Sequence, residues 1–110
     1  MKITDLENLL TDRRQSGEPY LEWLRVDSMS AGVYVLEPGE EDLQVPHHED
    51  EIYLVAGGEG SISVGGEQAP VRAGSIVFVP AEAPHHFHSV TQRLDLVVFF
   101  APAETEEEIG

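Results

Sequence analysis

The chain has no cysteine among its 110 residues. Disulfides and thiolate ligands are therefore excluded, and any metal must be held by histidine, carboxylate or amide oxygen. Positive charge is nearly as scarce: six Lys and Arg stand against 21 Asp and Glu, a formal net charge of −15. Neutralising phosphates needs a basic stripe, so nucleic acid and anionic membrane surfaces are not expected partners. The same charge raises the local concentration of cations. No apolar run approaches the length of a membrane span, and Met1-Lys2-Ile3-Thr4-Asp5 lacks the apolar core of a signal peptide, so the expected location is cytoplasmic. Size and an apolar content of 41% are ordinary, and suit one domain with a single core.

What is present reads as one short helix followed by strands. Thr4 and Glu7 have capping-box spacing, Leu6, Leu9 and Leu10 form a stripe, Arg13 and Arg14 suit a helix C-terminus, and Gly17 is a stop. A helix over about 4–14 is expected, within an N-terminal segment 1–17. Strand patterns follow at 20–26, 31–36, 51–56, 60–65, 69–72, 75–79, 86–90 and 94–100. Gly57-Gly58, Gly65-Gly66, Ala73-Gly74 and Pro80 to Pro84 punctuate them, and Gly57-Gly58-Glu59-Gly60 reads as a hairpin turn. Many short strands at this spacing indicate an all-β barrel or sandwich over residues 18–102. Leu94-Asp95-Leu96-Val97-Val98-Phe99-Phe100 is the most apolar run, expected to be buried on both faces, with a second subunit covering the outer one. A homodimer is the expected state. The residues 103–110, with Glu104, Glu106, Glu107 and Glu108, read as a solvated, disordered acidic tail.

All five histidines fall into two groups, His47-His48 and His85-His86-Phe87-His88. Glu51 opens an alternating run in which Glu51, Tyr53 and Val55 share one strand face. In the second group His85 shares a face with Phe87, while His86 and His88 take the other. A carboxylate and imidazoles set beside apolar strands are what a nitrogen and oxygen metal site requires. Tyr53, Phe78 and Phe87 are candidate walls of a pocket. The serines lack a nucleophile-elbow context, and the glycine-rich stretch has no Lys or helix after it to cradle phosphate.

These residues also carry a resemblance. The stretch His47-His48-Glu49-Asp50-Glu51 through Gly60 resembles the first motif of the cupin family, with Glu51 followed seven positions later by Gly58. Gly74 through Phe87 resembles the second motif, with Gly74, Pro80 and His85 in register. The likeness spans roughly residues 31–100 and implies an antiparallel jelly-roll (cupin) barrel with a short N-terminal helix. By position it implies His47, Glu51 and His85 as ligands of a divalent ion, with Fe, Mn, Ni, Zn and Cu all compatible. Where the first motif has its first His, this chain has Val45. A fourth ligand would then be His48, if a bulge turns it inward, or the carbonyl of Gln44. Glu82 stands where the family often has Gly, which would alter that turn. Gly58 and Gly74 are expected at turns that penalise a side chain.

Three functions are compatible with the resemblance, because the fold hosts many. The first is a small metalloenzyme, a non-haem oxygenase or an isomerase acting on a small organic molecule. The second is a non-catalytic module that binds a small, sugar-like ligand. The third is a structural barrel that has lost its metal along with the first His.

Overall fold

The structure, a computed structural model, describes residues 1–105. One helix, α1 (Leu6–Ser16), precedes six strands: β1 (Tyr20–Val26), β2 (Met29–Leu36), β3 (Asp50–Val64), β4 (Glu67–Arg72), β5 (Ile76–Val79) and β6 (His85–Ala101). All pairings are antiparallel, in the order β1-β2-β6-β3-β4, with β5 on β3. Helix α1 begins two residues later than expected. Asp5 is its N-cap and no side chain caps it, so the Thr4–Glu7 box does not form.

Eight expected strands become six because two long ones pass through bulges. The first half of β3 pairs with the last half of β6, and its last half with the first half of β6. The register shifts between Val55 and Ser61. There the inward positions of β3 change from Glu51, Tyr53 and Val55 to Ile62, and those of β6 from His85 and Phe87 to Leu94, Leu96, Val98 and Phe100. A bulge inserts a residue and flips the face. Gly57-Gly58 is thus no hairpin turn: it lies inside β3, with Gly58 at φ +95°. A Cβ at Gly58 would lie 2.0 Å from the Arg93 carbonyl oxygen, so only glycine lets the strands meet there.

The bend folds the sheet over a core of Tyr53, Val55, Ile62, Phe87, Leu94, Leu96, Val98 and Phe100. Helix α1 packs on β1 and β2. The outer face of β5, β3 and β6 has no such cover among the described residues. Phe78, Ile52 and Phe99 lie side by side there, and Ile76, Leu54 and Val97 form the next row. Strand β6 therefore alternates, with Phe99 37% exposed, and is not buried on both faces within one chain. Phe78, expected in a pocket wall, points outward at 58% exposure because Val77 and Val79 take the inner side of β5.

Candidate metal centre

Each supporting element contributes one side chain. Glu51 enters from the inner face of β3 and is buried. His85 is the first residue of β6, opposite Val64, and is buried. His47 belongs to the loop before β3, whose path is fixed by the turn between β5 and β6: the Glu82 N–H donates to the His47 carbonyl at 2.6 Å. Asp50 holds the same turn through the Ala81 N–H at 2.9 Å. Glu82 adopts φ +69°, the left-handed shape the glycine would take, so the turn keeps its form despite the substitution.

His47, Glu51 and His85 converge, with one ligand atom of each within 4.8 Å of the others. His85 Nδ1 donates to the Ala83 carbonyl at 3.0 Å. That leaves the Nε2 lone pair facing Glu51 Oε1 at 3.2 Å. The same oxygen lies 3.9 Å from His47 Nε2. Neither Glu51 oxygen nor His85 Nε2 makes a hydrogen bond of acceptable geometry, although all three are buried. A lone pair and a carboxylate oxygen in contact repel each other unless a cation or a proton lies between them. Ligand atoms about 2.1 Å from one ion stand roughly 3.0 Å apart at a right angle and about 3.4 Å apart at a tetrahedral one. The three residues fit a divalent ion.

Gln44 brings an oxygen as a fourth donor atom. Its Nε2 donates to Asp42 Oδ2 at 2.9 Å, which turns Oε1 toward His47 Nε2 at 3.4 Å. Tyr53 Oη donates to the same Oε1 at 2.9 Å. Asp42 is itself held by the Tyr34 hydroxyl at 2.7 Å and the Phe87 N–H at 2.8 Å. Val45, at the place of the missing imidazole, faces outward and is 43% exposed. His48 is not brought to the site. Its side chain is 62% exposed and pairs with Glu82, because it follows His47 on the opposite side of the chain. His86 is exposed, and His88 is held by Ser63 Oγ at 2.9 Å.

One residue near the centre had no signal in the sequence. Glu104, assigned to a solvated tail, is buried, with Oε2 3.3 Å from His47 Nδ1. The tail's remaining acids lie outside the described residues. Burial raises the Glu104 carboxyl to a pKa of about 8, and the charges of Glu51 and Glu49 add to the rise. Burial alone would lower the His85 pKa. Pairing with Glu51 and the Ala83 carbonyl outweighs it, and the net shift is upward. Burial first, and Glu51 second, raise Tyr53 so far that its hydroxyl stays a donor.

A cavity of about 240 Å³ adjoins the centre, bounded by His47, Glu51, Gln44 and Glu104 on one side and by Tyr20, Tyr34, Leu43, Val98 and Phe100 on others. Phe87 lies behind Tyr53 rather than in the wall, their rings 4.8 Å apart and edge-on. The cavity lining includes neither Lys nor Arg. Tyr20 reaches the wall because β2 has Gly32 beneath it: a Cβ there would lie 2.3 Å from the Leu21 carbonyl oxygen and 2.6 Å from Tyr20 Oη. No helix is long and apolar enough to cross a membrane among the described residues.

Residues 32–102 match the family described as the cupin domain. An uncharacterized protein of Streptomyces coelicolor is 41% identical over 105 residues, covering 96% of this chain and all of that one. The crystal structure of TT1209 from Thermus thermophilus is 30% identical, with a TM-score of 0.74 over 94% of this chain and 99% of that one. A double-stranded β-helix protein from Klebsiella pneumoniae, 24% identical, superposes with a TM-score of 0.75 over 93% and 90% of the two chains.

Proposed function

Because this chain belongs to the cupin family, we propose that it is a metal-dependent enzyme of that family. A divalent ion is held by His47, Glu51, His85 and the Gln44 amide oxygen, and a small organic molecule is turned over in the adjoining cavity. The observation that carries this reading is the contact of His85 Nε2 with Glu51 Oε1, two buried atoms at 3.2 Å that a divalent ion can bridge in place of a proton. When bound, the ion would polarise a substrate oxygen or activate O₂, the chemistry of an isomerase or an oxygenase. The chain's own residues bind, orient and keep out water. Leu43, Val98 and Phe100 supply apolar wall, and tyrosine hydroxyls supply hydrogen bonds. A wall without Lys or Arg, and with two carboxylates, disfavours an anionic substrate away from the ion. The substrate is therefore a neutral or cationic molecule, smaller than the ligands of pockets of about 300 Å³ and above.

The test is metal analysis of protein purified without a nickel-loaded resin. One redox-active ion per chain supports an oxygenase, and one redox-silent ion an isomerase. Absence of bound metal, and no uptake on titration, overturns the reading. The three tyrosines around the cavity favour a second reading, a module that captures a sugar-like ligand without turnover. It predicts ligand binding that survives removal of the metal.

A further inference from the structure

The C-terminal end of β6 does not run out into solvent. After Ala101 the chain stays against the start of β2 and the turn before it. The Ala103 N–H donates to the Asp27 carbonyl at 3.4 Å and the Glu104 N–H donates to Ser30 Oγ at 2.9 Å. Ser30 is fully buried and lies opposite Phe100 in the β2–β6 ladder, so the anchor is part of the barrel. Glu104 is thereby carried inward until its side chain is 3% exposed and Oε2 lies 3.3 Å from His47 Nδ1, an ion-pair approach that falls short of hydrogen-bond geometry. The ring of His47 is also set edge-on to Phe100 at 5.0 Å, which leaves it little freedom to turn.

We propose that Glu104 is a positioning residue for the metal centre: it offers an acceptor for the Nδ1 proton of His47, and so favours the tautomer with Nε2 bare toward Glu51 and Gln44 over the one in which Nε2–H donates to Gln44 Oε1 at 3.4 Å. This rests on the reading of His47 as a metal ligand. The chemistry is that of an imidazole with two distinct nitrogens. Whichever carries the proton cannot bind the ion, so a carboxylate at Nδ1 selects the tautomer that can, and makes the ring a better donor. His85 obtains the same selection from a backbone carbonyl, that of Ala83. His47 stands in a loop, and for it a side chain from the far end of the sequence supplies the acceptor. The two imidazoles of the centre are thus prepared alike, one by the turn next to it and one by the end of the barrel. A buried acid in this place also has a cost, since it adds a second carboxylate to a site that already holds Glu51. A bound divalent ion offsets that cost, as protonation of the acid does when no ion is bound.

The experiment compares the intact protein with E104L and E104Q above pH 8, where Glu104 is ionised, reading metal affinity by titration and the His47 tautomer by long-range nitrogen–proton NMR of the metal-free protein. The ring signals are assigned with H47N. In the wild type, His47 should carry its proton on Nδ1. E104L should lose that preference and bind metal about 10–100-fold more weakly, the usual effect of removing such a partner. E104Q retains an acceptor oxygen and should fall between. The His85 tautomer serves as the folding control and should not change in any variant. Unchanged affinity together with an unchanged His47 tautomer in a folded E104L protein overturns the proposal. If the wild type itself takes up no metal, the proposed function fails. The tautomer measurement still decides whether Glu104 positions His47.

Discussion

His85 Nε2 and Glu51 Oε1 meet 3.2 Å apart in the interior, while Nδ1 of the same ring is occupied by the Ala83 carbonyl. Substitutions at the two ends of this contact should therefore behave differently from those one residue away. His85→Ala and Glu51→Gln should each weaken metal binding by about 100-fold or more, beyond the range typical of outer partners. His86→Ala should leave it unchanged, because that ring is exposed. Calorimetric titration with a divalent ion checks all three. Equal loss in His85→Ala and His86→Ala would contradict the face assignment.

Gln44 is a neutral ligand turned toward the centre by Asp42. Gln44→Ala should weaken metal binding less than His85→Ala. Asp42→Asn should weaken it without removing any ligand atom, since an amide at 42 no longer fixes which way the Gln44 amide points. The same titration reads both.

The metal-free protein should lose stability as pH rises. Glu104 has its folded pKa raised to about 8, from an ordinary carboxyl value, by burial and by neighbouring Glu51 and Glu49. His85 is raised above 6.5 against the opposing effect of burial, by Glu51 and the Ala83 carbonyl. A group with a raised folded pKa contributes stability in full below its unfolded pKa and loses it as pH rises through the folded one. The contribution of Glu104 should fade between about pH 4.5 and 8, and that of His85 above about 6.5. Thermal melts in chelator should show this decline, and it should be shallower in E104Q. Added metal should reverse it, because deprotonated ligands bind best and binding stabilises the folded state.

Gly58→Ala should be costlier than Gly74→Ala. Both glycines have positive φ, +95° and +96°, which charges an L-residue about 1–2 kcal/mol. Only at Gly58 would the new methyl meet backbone, 2.0 Å from the Arg93 carbonyl oxygen, whereas Gly74 has open space. Urea unfolding at constant metal should show Gly74→Ala near that range and Gly58→Ala well beyond it.

We propose that the uncovered outer face of β5, β3 and β6 packs against a second copy of the chain. Ile52, Ile76, Phe78 and Phe99 are 37–71% exposed there. The side chains of the two rows carry no charge in a chain of net charge −15, so two copies can meet on them without opposing their acidic residues. Sedimentation at micromolar concentration should give a dimer, and Phe78→Asp a monomer. A monomeric parent protein would end the proposal.

The strand period of two made the inward positions of Glu51, Tyr53 and Val55, and of His85 and Phe87, legible from the chain alone. It failed where the period itself breaks. At Val55 to Ser61 the bulges flip the face, so one strand looked like two with a turn between. Phe78 lies in Ile76-Val77-Phe78-Val79, an all-apolar run whose pattern does not say which side is in. Gln44 was weighed as a ligand, yet what turns it inward is Asp42, two residues before it, and Asp42 is itself held by the Phe87 N–H, 45 residues away. Glu104 was hidden by its company. Its value comes from a hydrogen bond to Ser30, 74 residues away, while its sequence neighbours are those of any acidic tail.

Gly32 has a consequence for what the barrel can hold. It touches no part of the metal centre, yet a methyl group there would meet the Leu21 carbonyl at 2.3 Å and the Tyr20 hydroxyl at 2.6 Å. Strand β1 would have to lift away from β2, and with it Pro19 and Tyr20, which bound the cavity. The capacity of the chamber is thus tied to how closely two outer strands approach. Relatives that accept bulkier molecules could be reached by loosening that seam, with every ligand of the ion left in place.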